Sequence, residues 1–214
     1  MMTTATATAT AARTQPERQA VSDAAMAAAA VALICERGAA ATTLKDVGVR
    51  AGYSRGLAGY RFGSKAGLWG FLVRTIGEEW LAELRRAAAG TTGLQTVHAA
   101  LDAHCAILVE SPDRFRAFYT LWFDSVGPDP ALRAQITRIH ERRRSDVERW
   151  IGDGISAGTV RPDADVRGVA EQFVAQIVGI VYAWLVADPD TPDHGHVVEQ
   201  HAHLKRQMTE ALAP

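Results

Sequence analysis

The chain has 214 residues, 48% of them hydrophobic and 22% charged, which is globular composition with ample material for a core and is neither collagen-like nor low-complexity overall. Its formal charge of −1 hides an asymmetry: residues 1–75 carry nine Lys/Arg against four Asp/Glu, while residues 76–214 carry fourteen against twenty. A basic N-terminal third on an acidic remainder fits a nucleic-acid-binding module joined to something else, and two cysteines without metal-ligand spacing, Cys35 and Cys105, exclude a disulfide framework and predict buried free thiols in a reducing cytoplasm.

The opening MMTTATATATAA is polar and low in complexity. It lacks the basic start and apolar run of a signal peptide, so residues 1–15 are expected to form a disordered tail. From about Pro16 to Arg37 an alanine-rich helix is predicted, stopped by Gly38. The stretch Thr43–Lys65 then reads TLKDVGVRAGYSRGLAGYRFGSK. Thr43 is placed to cap a short helix, with Asp46 in the capping-box position. Leu44, Val47 and Ala51 share one face, and Gly52 is a left-handed stop. Ser54 is expected to cap a second helix to about Tyr60, and Ser64 a third with Lys65 in its first turn. Helix, tight turn, short helix is the arrangement whose second helix can enter a DNA major groove. Gly56 and Gly59 each cost that helix about 1 kcal/mol relative to alanine, which makes sense where the backbone must approach something closely.

A long helix from Lys65 to about Ala88 follows, with Leu68, Leu72, Ile76 and Leu84 on one face and Trp69 and Trp80 widening it. The next spans Leu94 to Glu110. Ser111-Pro112 opens a helix with Phe115, Phe118, Tyr119, Trp122 and Phe123 at i, i+3, i+4, i+7, i+8. Gly127–Pro130 breaks the chain before a helix over about 131–157, in which Arg143 fills a gap in the apolar stripe. A turn at Gly158–Pro162 leads to a helix ending near Ala187 with two apolar faces, capped by Asp163 or Asp165. The segment DPDTPDHG is expected to be a loop, and a last helix runs over about 196–213. The apolar run Ile177–Ala187 falls short of the ~20 residues that cross a bilayer, so no membrane segment is expected. No stretch alternates with period two, so the protein is predicted to be all-α, with about nine helices.

Gly38, Thr42, Thr43, Val47, Ala51, Gly52, Ser54, Gly56, Leu57, Tyr60, Phe62, Lys65 and Leu68 together resemble the DNA-binding domain of TetR-type transcriptional regulators, over about Gln19–Leu72. The rest of the chain resembles that family in length, helical pattern and the 154–162 turn. Two residues depart from the pattern: Gly48 where alanine is usual, and Arg61 where histidine is common. The resemblance implies a helix-turn-helix domain at 16–76 and a ligand-binding and dimerisation domain at 77–214. It implies a homodimer on a palindromic double-stranded operator, a repressor released by a small hydrophobic or aromatic effector, and no cofactor. The alternative is a regulator of the same type with a filled core and no small-molecule inducer.

Candidate DNA contacts are Thr43, Lys45, Ser54, Arg55, Gly56, Leu57, Gly59, Tyr60, Arg61 and Lys65. Arg55 is the best base-edge reader, because guanidinium matches guanine O6/N7. In the family the residues matching Thr43, Tyr60 and Lys65 commonly contact phosphates. Candidate pocket residues are His98, His104, Phe118, Tyr119, Trp122, Phe123, Arg143, Trp150, Phe173, Gln176 and Tyr182. Aromatic walls with a few polar groups suit a pocket and a helical core equally; Arg143 is expected to reach a carboxylate such as Asp146 or Glu171, or to snorkel to water. Val174, Val178, Val181 and Leu185, with His201, Leu204 and Met208, are expected to meet a second copy in a four-helix bundle. Of His194, His196, His201 and His203, the last two are two apart on a helix and point to different faces, so no metal site is assigned. No nucleophile-base constellation, phosphate loop or HExxH motif points to an enzyme.

Overall fold

The computed structural model describes residues 14–187 and 194–214, and within them the chain forms nine α-helices and no strand. These are α1 (Gln15–Ala41), α2 (Leu44–Arg50), α3 (Leu57–Phe62), α4 (Lys65–Ala88), α5 (Leu94–Glu110), α6 (Pro112–Asp124), α7 (Pro130–Ser156), α8 (Val166–Val186) and α9 (His194–Leu212). The expected tail at 1–15, but for its last two residues, and the expected loop over 188–195, but for His194 and Gly195, lie outside the described residues; His194 and Gly195 open α9 instead of closing the loop.

Local chemistry sets most boundaries. Thr14 and Glu17 form a reciprocal capping box at α1, with Pro16 in the first turn. Gly38, at φ 80°, breaks the helical geometry where the sequence places the stop, and a last turn resumes beyond it. Thr43 Oγ1 accepts from Asp46 N at 3.2 Å and caps α2; Ser64 Oγ accepts from Gly67 N at 3.0 Å and caps α4; Asp165 accepts from Gly168 N at 3.0 Å and caps α8. Ser54 does not cap α3. Its carbonyl accepts from Leu57 N at 3.1 Å in a turn, and α3 begins after Gly56 with no side-chain cap.

Two apolar cores meet along α5, α7, α8 and α9, which contribute residues to both. One joins α1, α2 and α3 to α4 and α6 and reaches Val181, Trp184 and Val197. The other is built from α5, α7, α8 and α9 around Leu101, Ile151, Phe173 and Leu204. The buried residues of α4, from Leu68 to Trp80, all lie in the first core, and α4 also packs against α5 and α7; the expected boundary at residue 76 falls inside it. α1 and α8 are long and apolar enough, by length and composition, to cross a bilayer, contrary to the expectation that no segment is. Each buries one face in the core, α1 against α6 and α8 against α7 and α9.

The expected dimer face needs correction. Val174, Val181, His201, Leu204 and Met208 are all buried within one chain, each at most 2% exposed. The stripe of α9 is used up by α5 and α8, so only Val178 and Leu185 of the set remain half-buried. The outward face of α8 is instead Gln172, Ala175, Gly179, Tyr182 and Val186, a stripe at i, i+3, i+7, i+10, i+14 that is exposed, largely apolar and small at its centre.

Candidate nucleic-acid interface and effector cavity

The helix-turn-helix is tightly closed on itself. A Cβ on Gly48 would stand 2.8 Å from the carbonyl oxygen of Ser54, so this glycine lets α2 and the turn approach more closely than alanine could. Gly52, at φ 81°, reverses the chain. Arg37 pairs with Asp46 at 2.7 Å and Arg50 with Glu36 at 2.6 Å, tying α1 to α2. The Thr43 hydroxyl, followed by Arg37, holds the Asp46 carboxyl below its ordinary pKa.

The predicted DNA contacts divide into three groups. Thr43, Lys45, Ser54, Arg55, Gly56 and Tyr60 are exposed, and Tyr60 is 87% exposed. Among the described residues Lys45 and Arg55 bond to no acid. Nothing in the chain lies within 4 Å of a Cβ built on Gly56 or Gly59, so neither glycine is required by internal packing. Arg61 and Lys65 are already engaged. Arg61 Nε and Nη2 donate to both oxygens of Asp23 at 2.7 and 2.6 Å, and Lys65 Nζ donates to the Ala40 carbonyl at 2.7 Å. Both fasten α1, to α3 and α4 respectively, and Asp23 had no signal as a partner in a linear reading. Leu57 and Gly59 are half-buried on α3.

A cavity of about 350 Å³ lies between α4, α5, α7 and α8. Val73, Gly77, Trp80, Leu81 and Leu84 line it from α4, Ala100 and His104 from α5, Ile139, Arg143 and Trp150 from α7, and Phe173, Val174 and Ile177 from α8. Of the predicted pocket residues, His104, Arg143, Trp150 and Phe173 meet there. The others do not. Phe118 and Tyr119 are fully buried in α6, behind the cavity, and Trp122 is core as well. Phe123 meets Tyr182 edge-on at 6.0 Å, with Tyr182 57% exposed. His98 Nε2 pairs with Thr209 Oγ1 at 3.1 Å, between α5 and α9. Gln176 is half-buried elsewhere on α8, with its Oε1 unpartnered. The aromatic stripe of α6 is spent on α1 and Trp80, leaving none for a ligand. The missed wall was readable in α4, where Val73, Gly77, Trp80, Leu81 and Leu84 repeat at helical spacing beside the core face.

A buried polar chain backs the cavity. His201 Nδ1 lies 2.7 Å from the Val197 carbonyl, which can only accept, so that nitrogen carries the proton. Neutral His201 then accepts at Nε2 from His104 Nδ1–H at 2.8 Å. Neutral His104 accepts at Nε2 from the Tyr119 hydroxyl at 3.2 Å, and the Tyr119 oxygen accepts from Arg143 Nη2 at 2.9 Å. Burial, then the neighbouring His201 and Arg143, drives the His104 pKa well below 6.5, and burial lowers that of His201. Among the described residues Arg143 finds no carboxylate. Asp146 pairs with Arg149 at 2.7 Å and Arg142 at 3.7 Å, and Glu171 with Arg167 at 2.9 Å. The Arg143 guanidinium carbon instead sits 3.6 Å from the Trp80 ring centroid, and its Nε and Nη1 are covered and unpartnered. The thiols offer no chemistry here: burial pushes Cys35 up to about 11 and also raises Cys105.

The chain matches the model of bacterial regulatory proteins of the tetR family over residues 27–69 and that of the BetI-type transcriptional repressor C-terminal region over 93–209. It is 34% identical over 180 residues to the HTH-type transcriptional regulator CymR of Pseudomonas putida, covering 77% of this chain and 85% of that protein. Among solved structures it resembles SmeT, the repressor of the Stenotrophomonas maltophilia multidrug efflux pump SmeDEF, with a TM-score of 0.72, 20% identity and 90% of each chain covered. The SmeT–triclosan complex matches with a TM-score of 0.71 and 21% identity, over 90% of this chain and 92% of that one.

Proposed function

The chain belongs to the TetR family of transcriptional regulators, and on that premise we propose that it is a homodimeric repressor, held on a palindromic operator until a small molecule fills the cavity between α4, α5, α7 and α8. As a member of that family it is a DNA-binding helix-turn-helix regulator and not an enzyme. The observation that carries the finer reading is α4 itself. It begins at Lys65, bonded to the helix-turn-helix through Ala40, and supplies one wall of the cavity from Val73 to Leu84. A ligand in the cavity must press on the helix that holds the reading head.

Exposed Tyr60, the unpaired Lys45 and Arg55, and two uncrowded glycines support α3 and its approach as the DNA face. Basic side chains there attract phosphates whatever the sequence, and Arg55 can reach base edges. The domain division at about residue 76 is kept as a division of labour, with DNA read before it and ligand and partner met beyond it. The outward stripe of α8, together with exposed Val198 on α9, is the face proposed for the second copy. Two recognition helices must then stand ~34–36 Å apart, or a multiple of it. A site of action on DNA in the cytoplasm, with α1 and α8 as core helices rather than membrane spans, follows from the same reading. The cavity favours a small-molecule effector over the filled-core alternative.

Selection of duplexes from a random pool, followed by fluorescence anisotropy with a cavity-filling ligand, tests the proposal. A palindromic consensus bound by a dimer and released by ligand is expected. A non-palindromic consensus, or ligand binding that leaves operator affinity unchanged, would overturn it.

A further inference from the structure

We propose that the effector of this cavity is an organic anion, an apolar body bearing a single carboxylate-type group, with the Arg143 guanidinium as its counter-charge. The inference rests on the reading of the cavity as the effector site and adds the ligand's chemical class.

Arg143 occupies a position in the α7 stripe where an apolar residue would continue the core. A guanidinium is charged at any physiological pH and presents five donors. Here one of its nitrogens, Nη2, is satisfied by Tyr119, while Nε and Nη1 are covered and have no acceptor. Buried cations are ordinarily paired with an anion. Both acids that a linear reading would pair with Arg143 are committed to other arginines. What compensates the charge is the π-face of Trp80 at 3.6 Å and that of Trp122 at 4.9 Å. Among the described residues, then, a cation stands at the wall of a cavity without an anion to match it.

The rest of the lining agrees. Four arginines (74, 138, 142 and 143) stand against two acids, Glu78 and Asp146, so the cavity's surroundings are net positive. Leu81, Leu84, Trp150, Phe173 and Ile177 form the apolar part. His104 adds no free donor, because both its nitrogens are used. One buried cation beside an apolar chamber suits one acidic group on a hydrophobic body. A carboxylate matches the planar fork of guanidinium in a two-bond geometry. Drawing that guanidinium towards an anion takes it off the Trp80 face and so acts on α4 directly.

The test uses matched pairs: octanoate, 4-phenylbutyrate and 2-naphthoate, each against its primary amide, with inorganic phosphate as a control for charge without a body. Binding is read by calorimetry and thermal shift on the full-length protein, and operator release by anisotropy. At least one acid is expected to bind about tenfold or more tightly than its amide, the worth of a charge-assisted bond, and phosphate is expected not to bind. Arg143→Met should abolish the preference for acid over amide, and Arg143→Lys should restore part of it. Arg143→Met should also raise the melting temperature of the ligand-free protein, because it removes an unpaired buried charge. Equal affinity for acids and amides, or no response to any member, overturns the anion assignment, as does an acid preference that survives in Arg143→Met. Release of the operator by amides as well as acids would overturn it while leaving the cavity as effector site. Acid binding through Arg143 without operator release would uphold the ligand class and sink the release mechanism.

Discussion

His104 Nδ1 donates to His201 Nε2 across 2.8 Å between α5 and α9, and both rings are buried and neutral. Each acceptor nitrogen in the chain from Val197 to Arg143 is assigned by the one before it, so a proton added to His201 at Nε2 sets two donors face to face, while one added to His104 at Nε2 turns the Tyr119 hydroxyl and puts a charge in a buried site beside Arg143. An unfolded chain protonates both imidazoles near pH 6.5, while the folded protein resists. The unfolded state therefore binds more protons below that pH, and stability falls as pH falls. A fully resistant imidazole contributes at most about 1.4 kcal/mol per pH unit. The melting temperature should drop between pH 6.5 and 5, and His104→Gln should flatten that slope. Parallel slopes for wild type and variant would contradict the assignment.

The DNA face makes a second prediction. Lys45→Ala and Arg55→Ala should each weaken operator binding and flatten the slope of log affinity against log salt, by about one for each phosphate left without its cation in a subunit. Arg55→Ala should in addition relax the consensus at one position if it reads a base. Arg61→Ala should act differently. Its partner is Asp23, so it should cost less than about 1 kcal/mol of stability and leave the salt slope nearly unchanged. Anisotropy titrations at several salt concentrations separate the two behaviours.

Association provides a third. Gly179→Glu places a charge in the middle of the exposed α8 stripe without entering the protomer's core, since nothing lies within 4 Å of a Cβ there. It should give folded monomers that bind the operator weakly. Val174→Glu, at a site buried inside the chain, should instead misfold. Sedimentation and circular dichroism distinguish these outcomes, and an intact Gly179→Glu dimer would place the interface elsewhere.

The joint between α5 and α7 supplies a fourth. A Cβ on Gly154 would stand 2.6 Å from the Gly93 Cα and 2.5 Å from Val160 Cγ2. Gly93 is itself left-handed, at φ 59°. Gly154→Ala should destabilise the protein by about 1–3 kcal/mol, lowering the melting temperature by roughly 2–12 °C. An unchanged melting temperature would mean that the two backbones can part at little cost.

Much of the fold was legible because its signals are local. Apolar periodicity marked the helices, and Thr43, Ser64 and Asp165 capped where their side chains allow. Ser54 misled because a serine before a glycine-rich stretch serves a turn as readily as a cap. The proposed DNA face rests on resemblance and on residue type, and the commitment of Arg61 to Asp23 spans 38 residues and leaves no local trace. The cavity was half legible. A periodic aromatic stripe shows that a face is buried without showing against what, and α6 turned out to face protein. Likewise the two faces of α8 could not be ranked from sequence: both are apolar, and only the placement of α9 decides which is left outside.

Lys65 anchors one end of α4 and Trp80 touches the cavity from the same helix. Fifteen residues at about 1.5 Å each separate them by roughly 22 Å. The bond from Lys65 to Ala40 and the Arg61–Asp23 pair bind α1, α3 and α4 into one block. Such a block cannot absorb a rotation internally. A pivot of about five degrees near Trp80 would thus carry the Lys65 end through roughly 2 Å of arc, more than enough to take a hydrogen bond out of range. In the proposed dimer, with two copies moving in opposite senses, the error doubles, while operator spacing would stay fixed by the DNA. The geometry needs only a small disturbance at the cavity because the arm is long and its far end is stiff.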